Sequence, residues 1–406
     1  MQKIKAQTLK GFRDFLPGET RKRQYVISKL TGIFESFGFE PLETPALEYE
    51  EVLMGKYGEE GDKLMYRFKD NGGRKVALRY DQTVPLARVA AQYSNILPTP
   101  FKRYQIQTVW RAENTQKGRF RELLQCDIDT VGSSSLVADV EIIACVLTSV
   151  KELGFKNVQM LINDRAIFGG LEPKFVSAID KLEKIGKEGV ISELITKGMN
   201  KQDAEKLVRS FDDSKPTALV LKIFDLLNNL GFKEGVDYVY KASLARGLDY
   251  YTSTIFELVS DDYKSGSLAG GGRYDKLVGM FSGRDIPAVG IAYGFDRIIE
   301  AMNQLNLFPK DLTTTEVLVT IFSQDLQNNS LEVSSKLRAS NVNTEVWLDT
   351  EAKLDKQLKY ADQKGIPYAI IIGPDEAKSG KLVLKDLKNR TQEVVTIDEA
   401  IGSVKD

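Results

Sequence analysis

The most informative absence in this chain is histidine, which occurs nowhere among its 406 residues. A Ser-His-Asp triad, an HExxH zinc site and a histidine general base are therefore all excluded. Any catalysis must depend on arginine, lysine, carboxylate or tyrosine side chains, or on the positioning of substrates alone.

Cysteine and long apolar runs are also scarce. The two cysteines, Cys126 and Cys145, lack the spacing of a metal or redox motif. No apolar run approaches the ~18–20 residues that span a membrane, and the first residues lack the apolar core of a secretory signal. We therefore expect a cytoplasmic protein with no membrane partner.

Two common nucleotide-binding motifs are missing as well. Neither GxGxxG nor GxxxxGKS/T occurs, which excludes a dinucleotide fingerprint and a P-loop. The net charge of −1 excludes a protein that is basic over its whole surface, but it allows a local basic strip.

Such a strip lies at residues 102–122, with a net charge of +4. Its centre, RAENTQKGR, lies between two strand-like runs and predicts a long hairpin loop. Arg111 directly follows an apolar run and should lie at the sheet rim, while Arg119 and Arg121 share one face of the returning strand. Guanidinium groups held on strands suit a polyphosphate, because they bind oxygen pairs and stay protonated. The alternative interpretation is a solvated, charged turn.

The rest of the sequence predicts an α+β fold. A helix should follow Pro17, and alternating runs around Asn71-Gly72-Gly73 predict a hairpin. Further strands are predicted at 104–110, 123–131, 252–260 and 287–293. This order favours an antiparallel sheet with packed helices.

Two segments differ in composition and periodicity from the part of the chain that predicts this sheet. Residues 172–236 are charged and helix-periodic, which predicts a small helical insertion. After about residue 312 three apolar strands alternate with helical segments at 329–339 and 353–365. That βαβαβ rhythm predicts a separate α/β domain with a parallel sheet.

Three further segments could bind a ligand, although each has a structural alternative. Asp81 and Thr83 stand between a strand and a helix, where Thr83 could be an N-cap and Asp81 could form a surface ion pair with Arg79. The glycines 270–272 allow a close backbone approach or positive φ, and the alternative is a flexible turn between a strand and a helix. Arg297 lies in the first turn of a predicted helix, where the helix dipole disfavours a positive charge. It either reaches a bound anion or is tolerated at the surface. The neighbouring Asp296 could cap the same helix.

In this order the segments resemble the motifs of class II aminoacyl-tRNA synthetases, and specifically of the histidyl-tRNA synthetase family. Motif 1 corresponds to PLETPALE, motif 2 to VWRAENTQKGRFRELLQCDID and motif 3 to AVGIAYGFDRI. Two motifs peculiar to the histidyl enzymes correspond to RGLDYYTSTIFE and GGGRYDKLVG, and their N-terminal segment to KGFRDFLP. The resemblance covers essentially the whole chain.

The resemblance implies that ATP and L-histidine form histidyl-adenylate, and that histidine then moves to the 3′ end of a histidine-specific tRNA. It implies Mg²⁺ on the phosphates, with no metal held by the protein alone, and a homodimer formed through motif 1. It also implies a class II catalytic domain at 1–312, with the helical insertion at about 172–236, and an α/β anticodon-binding domain at 313–406.

By the same resemblance, Arg111 and Arg246 are the catalytic residues beside the α-phosphate. The residues that would contact ATP are Arg111, Glu113, Arg119 and Arg297. The residues that would bind histidine are Asp81, Gln82, Thr83, Gln125, Asp129, Arg246, Tyr250 and Tyr251. Such a reaction needs no general base, because the attacking carboxylate is already ionised.

Two rival functions share this fold. A regulatory paralogue without charging activity usually lacks the C-terminal domain and parts of the RGLDYY motif, whereas a tRNA sensor would lack the arginines of motif 2 or motif 3. This chain keeps the C-terminal domain, Arg111 and Arg297. A class I synthetase is excluded, because its signature contains histidine.

Overall fold

The computed structural model describes residues 4–114, 120–246, 250–310 and 312–405, with the side chains of 58–60 left aside. The chain divides into two compact units, one of Met1–Leu16 with Arg23–Phe308 and one of Pro17–Lys22 with Pro309–Asp406. Among the described residues no helix has the length and apolar character to cross a membrane.

The strands up to Phe308 are short at the edges and long at the centre of the first unit. They are β1 (Glu40–Pro41), β2 (Leu47–Tyr49), β3 (Arg67–Lys69), β4 (Lys75–Leu78), β5 (Phe101–Trp110), β6 (Glu122–Val131), β7 (Val158–Asp164), β8 (Tyr238–Tyr240), β9 (Thr254–Ser260), β10 (Ala269–Arg273) and β11 (Ala288–Tyr293).

The helices of the same part of the chain are α1 (Pro17–Ser36), α2 (Glu50–Leu53), α3 (Gly58–Lys63), α4 (Thr83–Gln92), α5 (Leu136–Glu152), α6 (Pro173–Ile179), α7 (Leu182–Thr196), α8 (Lys201–Ser210), α9 (Ala218–Asn229), α10 (Gly279–Ser282) and α11 (Phe295–Gln304). A 3-10 turn at Arg165–Phe168 follows β7.

The central feature is a sheet of eight strands, counted over the described residues, in the order β1-β5-β6-β11-β10-β9-β7-β8. The six inner strands run antiparallel to one another, whereas the edge strands β1 and β8 pair in parallel with β5 and β7. Strands β2, β4 and β3 form a separate antiparallel sheet around the predicted hairpin. The predictions of an antiparallel sheet, of the hairpin and of a helix after Pro17 are confirmed.

Strand β6 divides its side chains between a core and a polar face. Cys126 and Ile128 are fully buried against α5, where Ile142 and Val146 belong to the same apolar cluster. Gln125, Asp127 and Asp129 alternate with these apolar residues, and because side chains on a strand alternate, they point to the opposite face of the sheet. A polar site can therefore lie on one face while the other face supplies the hydrophobic stabilisation.

The segment between β7 and β8 contains the helices α6 to α9. Helices α6, α7 and α8 form a small core of their own from Phe175, Ala178, Val190, Leu194, Ala204 and Val208. Helix α9 lies within the predicted insertion, but its residues Val220, Ile223 and Leu227 pack into the main core. Apolar residues at helical spacing predict a buried helix face without specifying which core buries it.

The structure decides between the two interpretations of the glycines at 270–272, a close backbone approach and a flexible turn. They lie inside β10, a buried inner strand paired with β9 and β11. A Cβ on Gly271 would lie 2.1 Å from the carbonyl oxygen of Gly290 and 2.7 Å from Cα of Ile291. The turn was wrong, and the close backbone approach is the reason for the glycines, since any side chain would collide with the neighbouring strand.

The second unit contains β12 (Val317–Val319), β13 (Thr344–Val346), β14 (Tyr368–Ile371), β15 (Leu382–Asp386) and β16 (Thr391–Val395), with helices α12 (Gln327–Ala339), α13 (Leu354–Lys364), α14 (Pro374–Ser379) and α15 (Ile397–Lys405) and a 3-10 turn at Gln324–Leu326. The sheet order is β13-β12-β14-β15-β16. The first three strands are parallel, as predicted, whereas β15 and β16 are antiparallel and were not predicted.

Replacing Gly271 by alanine should lower the free energy of unfolding of the first unit by about 1–3 kcal/mol, because backbone atoms on β11 would have to move. Chemical denaturation followed by circular dichroism measures the change. Gly32 is the matched control, since it lies on an exposed face of α1 with no atom near its Cβ position. Alanine there should stabilise the protein by up to about 1 kcal/mol. A wild-type stability for the Gly271→Ala protein would contradict the close strand approach.

Candidate active site

A cavity of about 460 Å³ lies on the polar face of β6, within the first unit. Its wall includes ten of the predicted site residues, which come from segments far apart in the chain. They are Asp81, Thr83, Arg111, Glu113, Gln125, Asp129, Arg246, Tyr250, Tyr251 and Arg297. The sheet therefore brings together most of the residues that the sequence motifs indicated.

Two predicted residues are not part of this wall. Gln82 is fully buried, and its Nε2 donates to the backbone oxygens of Gln107 at 2.8 Å and of Gln125 at 3.1 Å. It joins β5 to β6 behind the cavity. Arg119 lies outside the described residues.

The floor of the cavity is built from β6 and supported by β5. Asp127 and Asp129 both line it, and Arg103 lies fully buried beside them. A nitrogen of Arg103 lies 2.8 Å from Asp129 and 3.8 Å from Asp127. The sequence motifs did not indicate a role for Asp127 or Arg103. The only available signal was the spacing of charges on alternate residues of two strands, which the register then places side by side.

The tyrosine Tyr274 closes the floor from the side of β10. Its hydroxyl donates to Asp129, and its pKa is raised well above the usual value by burial and by that carboxylate. A Cβ on Gly290 would overlap Asp129, at 1.8 Å from its Oδ1. The glycine of β11 is therefore what leaves room for the Asp129 carboxylate.

The structural role of Asp81 differs from the two alternatives considered for this segment, an N-cap by Thr83 and a surface ion pair of Asp81 with Arg79. Its Oδ1 accepts hydrogen bonds from the Tyr57 hydroxyl at 2.8 Å and from the backbone N–H of Val84 at 3.1 Å. Asp81, not Thr83, thus caps helix α4, which begins at Thr83 itself. Burial raises the pKa of Asp81, although these hydrogen bonds oppose the change.

The predicted surface ion pair of Asp81 with Arg79 is wrong, because both side chains are buried and Arg79 points elsewhere. Arg79 donates to the backbone oxygens of Thr108 at 2.8 Å and Thr44 at 2.5 Å, and to Gln107 Oε1 at 2.9 Å. It joins the segment before α4 to β5 and to the chain near β2.

Arg246 is held in an unusual backbone conformation. Its φ is +55°, in the left-handed region that residues with side chains rarely adopt. The guanidinium forms an ion pair of 2.7 Å with Glu257, and it lies where a Cβ on Gly270 would be. Burial disfavours its charge, but Tyr251 and Glu257 outweigh that effect and raise the pKa of Arg246. Such strain is maintained only where the surroundings impose it, as at functional sites.

The two tyrosines that follow Arg246 form one wall of the cavity. The rings of Tyr250 and Tyr251 lie 4.9 Å apart, and Tyr250 packs edge-on against Tyr274 at 6.0 Å. Burial raises the pKa of Tyr250 well above its usual value, so its hydroxyl remains protonated. Asp249 and the two residues before it lie outside the described residues.

Arg111 lies at the rim of β5, as predicted. Its Nε donates to the backbone oxygen of Tyr80 at 3.1 Å, and its guanidinium lies 4.7 Å above the Tyr80 ring. One Nη lies 3.4 Å from Gln125 Oε1. The side chain is thus fixed between Tyr80 and Gln125 and lines the cavity.

Helix α11 presents Arg297 to the cavity at its first turn. Its Nη1 donates to the backbone oxygen of Ser267 at 3.0 Å. The predicted capping role of Asp296 is wrong, because the residue at the N-cap is Gly294 and no side chain caps the helix. Asp296 instead accepts from Arg13 at 2.7 Å and from Arg23 at 2.6 Å.

The N-terminal segment connects the two sides of the cavity entrance. The guanidinium of Arg13 lies 3.3 Å from the ring centre of Phe120, besides its ion pair with Asp296. The backbone N–H of Arg121 donates to the oxygen of Gly11 at 2.9 Å. Residues 11–13 therefore tie the end of the motif 2 loop to the start of α11, a role for which KGFRDFLP offered no local signal.

Comparison with known proteins identifies the family. The model of the histidyl-tRNA synthetase family matches residues 11–213 and 176–298, and the model of an anticodon-binding domain matches residues 316–406. The chain belongs to the histidyl-tRNA synthetase family.

Individual relatives align with this chain over nearly the full length of both proteins. A histidine–tRNA ligase of Cytophaga hutchinsonii is 40% identical over 447 aligned residues, which cover 97% of this chain and 98% of the relative. A histidine–tRNA ligase of Aeropyrum pernix is 40% identical over 423 aligned residues, which cover 98% of this chain and 97% of the relative. The crystal structure of histidyl-tRNA synthetase from Nostoc has a TM-score of 0.86 at 31% identity, covering 99% of both chains.

Family membership confirms the predictions of a class II catalytic fold, of a C-terminal anticodon-binding domain and of a histidine–tRNA ligase that uses ATP as a substrate. Nothing in these relationships favours the regulatory alternative, and relatives named as ligases match along nearly the whole chain.

Replacing Arg13 by alanine should raise the KM for ATP about tenfold, because Asp296 would lose one ion pair and Phe120 its cation contact. The KM for histidine should stay nearly unchanged, since the floor of the cavity is not touched. Steady-state kinetics with each substrate varied separately checks this. The control is Arg74→Ala, which removes a mostly exposed ion pair with Asp70 on the β3–β4 hairpin and should change neither constant. Equal increases in both KM values would contradict the proposed link to α11.

Proposed function

We propose that this cavity activates L-histidine with ATP, forming histidyl-adenylate and pyrophosphate, and then transfers the histidyl group to the 3′ end of a histidine-specific tRNA. The observation that carries this proposal is the composition of one wall. Three arginines (Arg111, Arg246 and Arg297) and three buried carboxylates (Asp81, Asp127 and Asp129) line the same cavity. The arginines suit phosphates and a carboxylate, while the acids suit a substrate amine and an imidazole.

The activation step requires charge stabilisation more than proton transfer. The carboxylate of histidine attacks the α-phosphorus in line, and pyrophosphate leaves with the electron pair of the broken P–O bond. Because a carboxylate is ionised at neutral pH, no general base is needed. The step is therefore compatible with a chain that lacks histidine altogether.

Arg111 and Arg246 are the residues that we expect beside the α-phosphate. Negative charge grows on its oxygens in the transition state, and fixed cations stabilise that state more than the ground state. Arg246 is already held by Glu257 at 2.7 Å and by its strained backbone, so little reorganisation is required. Glu113, Arg119 and Arg297 would bind the rest of ATP.

The amino-acid pocket is the acidic end of the same cavity. Asp81, Thr83 and Gln125 would receive the amino group, and Asp129 with Tyr250 and Tyr251 would read the imidazole. One ring nitrogen donates and the other accepts, so a carboxylate and a hydroxyl can satisfy both. A substrate without this ring would leave these buried groups without partners, which strongly disfavours it.

Mg²⁺ fits this site as a companion of ATP. Among the described residues no group of three or more acidic side chains could hold a metal ion by itself. Mg²⁺ is usually bound through one or two carboxylates and the substrate phosphates, and Glu113 supplies a carboxylate at the cavity wall. When bound, the ion neutralises phosphate charge.

The second unit would contact the anticodon, as the match to an anticodon-binding domain suggests. The loop at 114–118, which the resemblance connects with the acceptor end of the tRNA, lies almost wholly outside the described residues. We place the reaction in the cytoplasm.

Arg246→Gln tests the proposed role of this residue, and it keeps the Cβ and Cγ atoms at the strained position. In ATP–pyrophosphate exchange without tRNA, the wild type should respond to histidine alone among the amino acids. The variant should lower kcat by about 10²–10³-fold, as the loss of one donor to a developing oxyanion does. The control Arg284→Ala changes an exposed arginine in a turn and should leave the rate unchanged. If folded wild-type protein shows no exchange with any amino acid, the regulatory or tRNA-sensing alternative replaces this proposal.

A homodimer is proposed from the motif 1 resemblance and from an apolar face on the small sheet. Leu47 and Tyr49 of β2 and Phe68 of β3 are exposed, and the strand register sets Tyr49 and Phe68 beside the same residue of β4. Sedimentation equilibrium should give twice the chain mass of 45.5 kDa. Tyr49→Glu with Phe68→Glu should shift the protein toward the monomer, and a monomeric wild type would refute the proposal.

A further inference from the structure

Asp127 is a buried carboxylate of the cavity floor to which the family motifs assign no role. It lies on β6 between Gln125 and Asp129, with 1% of its surface exposed. Its Oδ2 accepts a hydrogen bond from Gln125 Nε2 at 2.8 Å. Its Oδ1 is buried and has no hydrogen-bond partner within the described residues. A buried carboxylate oxygen without a partner is energetically costly, which points to a donor that arrives with the substrate.

The side chains around Asp127 include more carboxylates than cations. From β5, Arg103 lies 3.8 Å away, but it is committed to Asp129 at 2.8 Å. Asp81 faces the same space from the segment before α4, and Tyr250 from the segment before β9. One fully buried arginine thus lies among three carboxylates, and Arg111 adds a second cation on the side of Gln125, whose Oε1 lies 3.4 Å from its guanidinium.

The neighbours of Asp127 on the other side of β6 and after β10 do not balance this excess of negative charge. On β11 the residue paired with Asp127 is Ala292, and the next on that face is Gly290. Both lack a charge and a donor side chain. Tyr274 donates its hydroxyl to Asp129 and not to Asp127. A positive charge brought by a ligand would complete the site.

We infer that Asp127 determines amino-acid specificity, and that its carboxylate recognises a protonated nitrogen of the bound histidine. The inference rests on the proposed function, since it assigns this residue to the amino-acid end of the same cavity. Asp127 also orients Gln125 through the 2.8 Å hydrogen bond, so the two residues act on the substrate together.

Proton release should accompany this recognition. Burial raises the pKa of Asp127 to about 8, with Arg103 opposing the change and Asp129 adding to it. Burial also raises the pKa of Asp129. The coupled pair of Asp127 and Asp129 therefore keeps a proton to higher pH than two separate, exposed aspartates would. A protonated nitrogen stabilises the ionised carboxylate, so the proton passes to the buffer when histidine binds. Affinity should rise with pH through this range, until the amino group of histidine itself deprotonates.

The variant Asp127→Asn isolates the charge, because its amide oxygen still accepts from Gln125 but the side chain cannot ionise. In ATP–pyrophosphate exchange, the KM for histidine should increase about 10- to 100-fold, as expected for a lost hydrogen bond to a charged group. The KM for ATP should stay near the wild-type value. The rise of affinity with pH should disappear in the variant.

Thr130→Val is the matched control. Thr130 lies on the same strand, is buried and points away from the cavity, so this change tests strand integrity alone. Both KM values should remain at wild-type levels, and the circular dichroism spectra of the three proteins should coincide.

Titration calorimetry of wild type and Asp127→Asn with L-histidine, in phosphate and in Tris at one pH, separates the outcomes. A heat that depends on the buffer in the wild type and not in the variant supports the inference. Wild-type heats that do not depend on the buffer, or an unchanged KM for histidine in the variant, would overturn it. If the wild type shows no histidine-dependent exchange at all, the proposed function fails first.

Discussion

The ion pair between Arg103 and Asp129 is the interaction on which the polar face of the large sheet depends. Arg103 is fully buried, and an unpaired guanidinium in that position would carry a desolvation penalty of several kcal/mol. At 2.8 Å Asp129 offsets this penalty, and Tyr274 supplies the same carboxylate with a hydroxyl donor. With Asp127 also nearby, the floor of the cavity keeps an acidic excess. Under the proposed function, that excess would favour the protonated amino group of the substrate.

The cavity exists because two inner strands lack side chains at critical positions. Gly270 leaves the space that the Arg246 guanidinium occupies, and Gly290 leaves the space of the Asp129 carboxylate. Gly271 permits β10 and β11 to approach closely. Strands of glycine are weak by themselves, so their neighbours β9 and β11 must hold β10 in place. The glycines therefore lower the intrinsic stability of these strands, but they leave space for the charged side chains of Arg246 and Asp129.

The proposed activation step needs fixed positive charge and not a proton acceptor, so it is compatible with a chain that lacks histidine. Arginine suits this task, since it remains charged after burial. The arginines are held by neighbours that do not belong to the reaction, such as Glu257 for Arg246 and Tyr80 for Arg111. Arg13 of the N-terminal segment and Arg23 of α1 have a comparable role for α11, because both form ion pairs with Asp296.

The sequence by itself determined the α+β class, the long central strands, the helix after Pro17 and most of the cavity residues, because periodicity and motif order are local properties. It could not distinguish a glycine turn from a glycine strand, since glycine permits both and only pairing with β9 and β11 decides. It also could not assign Asp81 to the helix cap, Asp296 to Arg13 and Arg23, or α9 to the main core. Each depends on partners distant in the chain. Arg103 and Asp127 became part of one acidic floor only when the register of β5 and β6 set them side by side. Charge interactions depend on distance in space, which the order of residues does not specify.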